Sequence, residues 1–153
     1  MDLRLDPLRV ADAAEMAVVL ADPALYTVIG GTPPTEPELA ARYARQLAGP
    51  PDGREEWLNR IVRVDGRAVG YVQATVFPAG RAAVAWVIGT ADQGRGYATA
   101  AAQALLAELA GRGVTGLEAW IAPGHRASEA VAGRIGLRPT GELDEDGEQR
   151  WTS

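Results

Sequence analysis

The segment Ala85-Trp-Val-Ile-Gly-Thr-Ala-Asp-Gln-Gly-Arg-Gly-Tyr-Ala-Thr99 joins a short apolar run to an alanine-rich run with helical character. Two glycines, Gly94 and Gly96, stand in the turn between the runs. Because glycine has no Cβ, the backbone can turn tightly there and aim several amide N–H groups at one anion. A helix that begins near Tyr97 would add unpaired N–H groups and the positive end of its dipole. The segment therefore predicts a phosphate-binding turn between a strand and a helix.

A glycine-rich turn need not bind a phosphate, since many such turns bind nothing. A Walker loop is excluded because no Gly-Lys-Ser/Thr follows the glycines. The dinucleotide pattern G-x-G-x-x-G fails as well, because Gly94-Arg-Gly96 has no third glycine in register. A turn that binds a phosphate and a purely structural turn remain.

Length and composition limit the class of protein. A chain of 153 residues suits one domain, residues 1–153, with a core of useful size. The absence of cysteine excludes a disulfide framework, a thiolate zinc site and a cysteine acyl-enzyme, and we expect no metal. The net charge of −5 argues against nucleic-acid binding. The start, Met1-Asp-Leu-Arg-Leu-Asp6, is charged and no long apolar run occurs, so we expect no membrane association and a cytoplasmic location.

Hydrophobic periodicity and turn residues divide the chain into alternating elements. Strands are predicted at residues 3–8, 56–64, 68–77, 81–88, 114–121, 137–143 and 149–152, and helices at 12–20, 35–47, 97–110 and 126–135. We expect Asp12 to cap the first helix and Thr35 with Glu38 to form a capping box at the second. The three consecutive strands suggest an antiparallel meander in an α+β protein.

The turn also carries a family resemblance. Gln93-x-x-Gly96-x-Ala98 resembles the acyl-CoA signature Q/R-x-x-G-x-G/A of the GNAT superfamily of N-acetyltransferases. The order of elements over roughly residues 3–145 is similar too. The segment Gln93-Gly-Arg-Gly-Tyr-Ala-Thr99 resembles the motif Q-G-x-G-Y-A-T, which is typical of the ribosomal-protein-alanine N-acetyltransferase-like branch. The resemblance implies a central mixed, mostly antiparallel sheet of about six or seven strands flanked by about four helices.

The same resemblance implies an activity and a coenzyme site. Acetyl-CoA would be the co-substrate, and its acetyl group would pass directly to a primary amine of a small molecule or a protein N-terminus, without an acyl-enzyme. The strand before the turn would splay from its neighbour, so that the backbone of Val87 and Ile88 meets the pantetheine arm and the thioester oxygen. The pyrophosphate would lie on the turn, formed by Gln93, Gly94, Arg95, Gly96, Tyr97, Ala98 and Thr99.

Candidate catalytic residues come from a second motif and from one strand. Ile121-Ala-Pro-Gly-His-Arg-Ala-Ser128 resembles the branch's V-x-P-x-N-x-x-S, with His125 in place of Asn. The imidazole of His125 suits coenzyme contact or proton transfer near neutral pH, and the resemblance implies Ser128 as proton donor to the thiolate. Glu56 is a candidate base at a strand entrance. Alternatives are open for each: His125 and Ser128 as helix caps, and Glu56 as an ordinary surface charge.

A second functional hypothesis also stays open. Ala132 occupies the place where many relatives carry a tyrosine proposed as general acid, and no base is obvious. The chain would then be a catalytically inactive, CoA-binding or regulatory protein of the same fold. For an active enzyme, the partners are acetyl-CoA and an amine acceptor. The wall of the acceptor site would include Tyr26 and Tyr43, unless these side chains only pack between helices. A homodimer is one open alternative.

Overall fold

Seven strands form one sheet in the computed structural model, which describes residues 2–153. The strands are β1 (Leu3–Pro7), β2 (Glu56–Val64), β3 (Arg67–Phe77), β4 (Arg81–Ile88), β5 (Gly116–Ile121), β6 (Arg138–Leu143) and β7 (Gln149–Thr152). Their spatial order is β1-β2-β3-β4-β5-β7-β6, and every neighbouring pair is antiparallel except β4 with β5. The predicted meander and the mixed, mostly antiparallel sheet are confirmed.

Five α-helices accompany the sheet within residues 2–153: α1 (Ala13–Val19), α2 (Tyr26–Ile29), α3 (Glu36–Ala48), α4 (Tyr97–Gly111) and α5 (Arg126–Arg134). Four of them were predicted, and α2 was not. The capping box of α3 is confirmed, since the Glu38 amide donates to Thr35 Oγ1 at 3.3 Å and the Thr35 amide donates to Glu38 Oε1 at 3.1 Å. Within residues 2–153, no helix is long and apolar enough to cross a membrane.

Asp12 stands at the start of α1, but its side chain does not cap that helix. Its buried carboxylate instead accepts a hydrogen bond from the Arg9 amide at 2.8 Å and pairs with Arg63 at 3.2 Å. Arg63, on β2, also pairs with Asp6 at 3.1 Å and Glu15 at 2.9 Å. Because a buried charge must be paired, this cluster joins β1, β2 and α1, and the capping prediction for Asp12 was wrong.

The two faces of the sheet bury separate cores. Successive residues of a strand point to opposite faces, so Ile61 packs with Met16 and Leu39 on the α1 and α3 side, while Val62 packs with Leu105 on the α4 side. All five side chains are buried.

Strands β4 and β5 separate after a short paired stretch. Their ladder joins only Arg81–Ala83 to Gly116–Glu118, although β4 continues to Ile88 and β5 to Ile121. Beyond this ladder β5 stays paired with β7 and β4 stays paired with β3. The expected splay of the strand before the glycine turn is thereby confirmed, and it opens a gap in the middle of the sheet.

Candidate active site

The glycine turn follows β4 through a single 3₁₀ turn, Thr90–Asp92. Gly94 has φ +78° and Gly96 has φ +81°, in the left-handed region that side chains with a Cβ rarely adopt. The Gln93 side chain donates from Nε2 to the Ile88 carbonyl oxygen at 2.9 Å, which closes the turn on the end of β4. The local sequence therefore shapes this backbone, as predicted.

A row of free amide groups lies along this turn. The first helical hydrogen bond of α4 runs from the Ala100 amide to the Gly96 carbonyl oxygen at 3.1 Å. The amides of residues 94–99 donate to no other group in the described part of the chain. Unpaired amides at a helix start, next to left-handed glycines, form an anion site. The Tyr97 side chain is only 9% exposed and packs in the core, so it offers the site its amide alone, whereas Arg95 is exposed.

A cavity of about 380 Å³ begins at this turn and extends to α5. It brings together most of the predicted site: Val87, Ile88, Gln93, Gly94, Gly96, Ala98, Thr99, His125 and Ser128 line it. Arg95 and Tyr97 do not line it. We call it the coenzyme cavity, because its size and its amide row suit an elongated anionic ligand.

Sequence reasoning missed several lining residues. Ala24, Leu25 and Ile29 come from the segment around α2, and Arg134 comes from the last turn of α5. A helix of four residues is too short to show a periodic hydrophobic pattern. The sequence nevertheless carries an N-cap signal just before this segment. Asp22 precedes a proline, and its Oδ1 accepts from the Ala24 amide at 2.9 Å, as an N-cap does.

His125 occupies the N-cap position of α5, yet its imidazole makes no capping hydrogen bond. The half-buried ring lines the coenzyme cavity and a second cavity of about 210 Å³ in the gap between β4 and β5. Burial lowers the pKa of His125 below 6.5, and Glu129 opposes this only in part. The ring is therefore mainly neutral at pH 7 and can accept a proton. Ser128 lines the same two cavities from the first turn of α5.

Glu56 lies outside the site. Its carboxylate pairs with Arg112 at 2.6 Å, at the C-terminal end of α4, and its side chain is 53% exposed. Helix α4 has 15 residues and so spans about 22 Å from the glycine turn to that end. The prediction of Glu56 as a base near the reacting groups is corrected. The register pairs Glu56 with Val76, and Val76 pairs with Ala82 at the start of β4, at the opposite end of that strand from Ile88. No group of three or more His, Asp or Glu in residues 2–153 could hold a metal ion.

A third cavity, of about 440 Å³, opens on the α1 and α3 side of the sheet. Ile29 and Val87 line this cavity, the coenzyme cavity and the gap cavity, so all three meet there. Tyr26 lines the third cavity, as expected for an acceptor wall. Tyr43 does not: its hydroxyl is buried without a partner among the described residues, and burial raises the pKa of Tyr43 to about 12.

Comparison with known proteins adds three findings. A family model described as an acetyltransferase (GNAT) domain matches residues 2–138. Over 86 residues the chain is 37% identical to the L-2,4-diaminobutyric acid acetyltransferase of Nocardia farcinica, a match that covers 54% of this chain and 45% of the relative. The chain thus matches less than half the length of that curated relative.

Solved structures share the fold at low sequence identity. The aminoglycoside acetyltransferase AAC(6')-Ib in complex with coenzyme A has a TM-score of 0.81 at 18% identity, over 99% of this chain and 94% of that one. An acetyltransferase from Thermus thermophilus has a TM-score of 0.77 at 22% identity, over 100% and 97% of the two chains. These likenesses concern the fold alone.

Proposed function

This chain belongs to the GNAT acetyltransferase family, and we propose that it transfers the acetyl group of acetyl-CoA directly to a primary amine. One observation carries the proposal: the cavity along the glycine turn, lined by Gly94, Gly96 and Ala98, shares Val87 with the cavity on the α1 and α3 side of the sheet. A thioester lying along β4 and an amine entering from the α3 side would come together at this strand. Residues 1–153 would act as one catalytic domain.

The donor is held mainly by backbone groups in this proposal. The pyrophosphate would accept hydrogen bonds from the amides of residues 94–99, and the exposed Arg95 side chain would add charge. Beyond Ala83, β4 has no ladder with β5, so the Ile88 amide on that edge is available to the pantetheine arm or to the thioester oxygen. The Gly89 amide donates to Val69 of β3, which places the Val87 backbone on the β3 edge, so Val87 would meet the coenzyme through its side chain. Structural neighbours in complex with coenzyme A or acetyl-CoA support this assignment.

Proton transfer is assigned to His125 and Ser128, which line the coenzyme cavity and the gap cavity alike. A neutral amine attacks the thioester carbonyl, and the C–N bond forms as a tetrahedral oxyanion develops. Neutral His125 accepts the proton that the amine nitrogen loses. The C–S bond then breaks, and the proton returns through Ser128 to the departing thiolate. The products are an N-acetyl amine and free CoA thiol.

The proposal covers three classes of amine acceptor. Similar proteins include AAC(6')-Ib in complex with ribostamycin, an aminoglycoside, and the relative named for L-2,4-diaminobutyric acid. Both kinds of molecule carry primary amines. A protein N-terminus is the third candidate acceptor.

The proposal is tested by calorimetric titration with acetyl-CoA, with desulfo-CoA beside it, and by thiol release with a panel of amines. Two glycine variants sharpen the test. Gly96 and Gly113 have nearly equal positive φ angles, and a Cβ at either would meet nothing within 4 Å. Gly96→Ala and Gly113→Ala should therefore each cost about 1 kcal/mol of stability through strain alone. Only Gly96→Ala should weaken coenzyme binding, since Gly113 follows the far end of α4.

Three results would change the conclusion. Failure of the unaltered protein to bind acetyl-CoA would make the turn purely structural. Equal loss of binding in both variants would show that strain, and not contact with the coenzyme, is responsible. Binding of acetyl-CoA without thiol release for any amine would favour the inactive, CoA-binding protein that the missing tyrosine at Ala132 suggests.

A further inference from the structure

The third cavity has the size and position of an acceptor site. Its volume of about 440 Å³ suits a small molecule. Part of its wall is the turn Gly30–Thr32, which links α2 to α3, and its inner end is formed by Val87. Tyr71 of β3 lies directly opposite Val87 of β4 in the sheet, so their side chains share this face. We call this space the acceptor cavity.

Two opposite charges line the acceptor cavity, and both belong to α3. Glu38 and Arg42 are four residues apart, which places them on one face of the helix. Glu38 already accepts the Thr35 amide in the capping box, and this hydrogen bond lowers the pKa of Glu38, so its carboxylate is ionised near neutral pH. One oxygen of the carboxylate that lines the cavity is thus already used in a hydrogen bond of the capping box.

Arg42 differs from Glu38 in its interactions with the rest of the chain. Its guanidinium forms no hydrogen bond and no ion pair within residues 2–153. It lies close enough to two tyrosines of the cavity to act on them. Burial raises the pKa of Tyr26 and of Tyr71, and the charge of Arg42 opposes that rise in both. The exposed guanidinium lines the cavity, and its charge acts on Glu38 as well. Because it has no hydrogen-bonded carboxylate within residues 2–153, it can pair with the carboxylate of a ligand.

Hydroxyl groups add a neutral polar surface beside these charges. The Tyr26 hydroxyl donates to the Leu20 carbonyl oxygen at 2.8 Å, which leaves its oxygen free to accept from a ligand N–H group. Tyr71 contributes a second phenol. These groups offer hydrogen bonds to an amine on its way to Val87 without adding negative charge.

We propose that the acceptor cavity binds a small zwitterionic amino acid, whose carboxylate pairs with Arg42 and whose reacting amine lies toward Val87. This inference rests on the acetyltransferase function proposed above. A guanidinium binds a carboxylate through two parallel hydrogen bonds, and the interaction is stronger where water is partly excluded. Glu38 supplies the opposite charge that an incoming ammonium group requires. A polycation would leave Arg42 facing like charge and would find one carboxylate only, so it is a poor match for the charged groups here.

The test measures kcat/KM for thiol release with diamino acids and ω-amino acids, each paired with its carboxamide, together with spermidine, an aminoglycoside and an amidated peptide. The paired compounds differ only in the negative charge. Arg42→Gln removes the guanidinium, and Arg42→Lys keeps the charge but not the planar pair of donors. Arg45→Gln, an exposed residue of the same helix that lines none of the cavities described, is the matched control.

We expect the unaltered enzyme to favour at least one amino acid over its amide by about tenfold or more, through a lower KM. Arg42→Gln should abolish that preference by raising the KM of the amino acid far more than that of its amide. Arg42→Lys should restore part of the preference, and Arg45→Gln should retain all of it. Acetylation without preference for the acid, or a preference that survives in Arg42→Gln, would overturn the inference and leave the transferase function standing. No thiol release with any amine would overturn both.

Discussion

The guanidinium of Arg67 donates two hydrogen bonds to the carboxylate of Asp92, from Nη2 to Oδ1 at 2.9 Å and from Nη1 to Oδ2 at 3.1 Å. Arg67 begins β3, and Asp92 ends the 3₁₀ turn just before the glycine turn. The Asp92 side chain is 9% exposed and lines the coenzyme cavity. A carboxylate so close to the proposed phosphate site would repel the ligand if it were not paired. The pair therefore both anchors the turn and neutralises its one buried acid.

Asp92→Asn and Arg67→Gln should each lower the affinity for CoA, because either change loosens the turn. The double variant should lose little more than the worse single variant, since the two residues act as one unit, with a coupling of about threefold or more in affinity. Calorimetric titration of the four proteins measures this cycle. Arg4→Gln, which breaks the exposed Arg4–Asp6 pair on β1, serves as control and should bind normally. Independent, additive losses would contradict the coupling.

Gly70 is predicted to be intolerant of any side chain. A Cβ on Gly70 would lie 2.1 Å from the carbonyl oxygen of Val87, the residue at which the cavities meet. Gly70→Ala should thus push β4 away and lower the free energy of unfolding by about 1–3 kcal/mol, with loss of acetyl-CoA binding. Gly111→Ala is the control, because a Cβ there meets nothing within 4 Å, and it should be neutral or stabilising by up to about 1 kcal/mol. Urea unfolding with titration of acetyl-CoA tests both, and an unchanged Gly70→Ala protein would refute the close approach.

Arg134 should contribute to coenzyme binding through its charge. It is the one arginine that lines the coenzyme cavity among the described residues, and the chain carries a net charge of −5, which disfavours anions overall. Arg134→Gln should weaken CoA binding by roughly threefold to tenfold at low ionic strength, with a smaller loss as salt screens the contact. Arg126→Gln, on the same helix but outside the described cavities, should have no such effect. Equal, salt-independent losses in the two variants would argue against a charge contact.

The titration of His125 can be measured without interference in a protein that carries no histidine tag, because His125 is the only histidine of the chain. Burial lowers its pKa in the folded state below 6.5, so the unfolded chain binds more protons between that lowered pKa and about 6.5. Its contribution to stability is then fully present above pH 6.5 and is lost as the pH falls through this range. Activity should fall over the same range, as the neutral ring that accepts the proton disappears.

NMR titration of the His125 ring measures that pKa directly, and unfolding curves at several pH values measure the linked stability. His125→Asn is the natural comparison, since it replaces the imidazole with an amide that does not titrate in this pH range. The variant should lose both the titration and the pH dependence near 6.5, with much lower kcat. A ring pKa at or above 6.5, or an identical pH profile in His125→Asn, would remove His125 from the proton path.

Much of the secondary structure was predictable because its signals are local. Thr35 and Glu38 form the capping box that their spacing indicates, and strands β2 to β4 begin and end within a residue of the predicted bounds. Asp12 shows where such signals fail. An aspartate ahead of a helix predicts a cap, but Arg63, remote in the chain, pairs with its carboxylate instead.

The part of the candidate site that depends on local backbone conformation, the glycine turn, was predicted from the sequence. The parts formed by segments distant in the chain were missed. Glu56 was expected near the reacting groups, yet its place along the sheet depends on strand register, which pairs it with Val76 and leaves it beside Arg112. Arg42 gave no sequence signal at all. Its importance comes from having no partner within the described chain while lying beside Tyr71, a residue of another element.

The conformation of the glycine turn follows from its local sequence. Gly94 and Gly96 allow the positive φ angles, and the helix that follows supplies unpaired amides, all within a few consecutive residues. The surroundings of that turn depend instead on contacts between distant parts of the chain. The separation of β4 from β5 and the placement of Ile29 and Val87 on the same cavities arise from packing between segments far apart in the chain. Dihedral preferences are carried by neighbouring residues, whereas a cavity exists only once non-local contacts have set the sheet register and the helix positions.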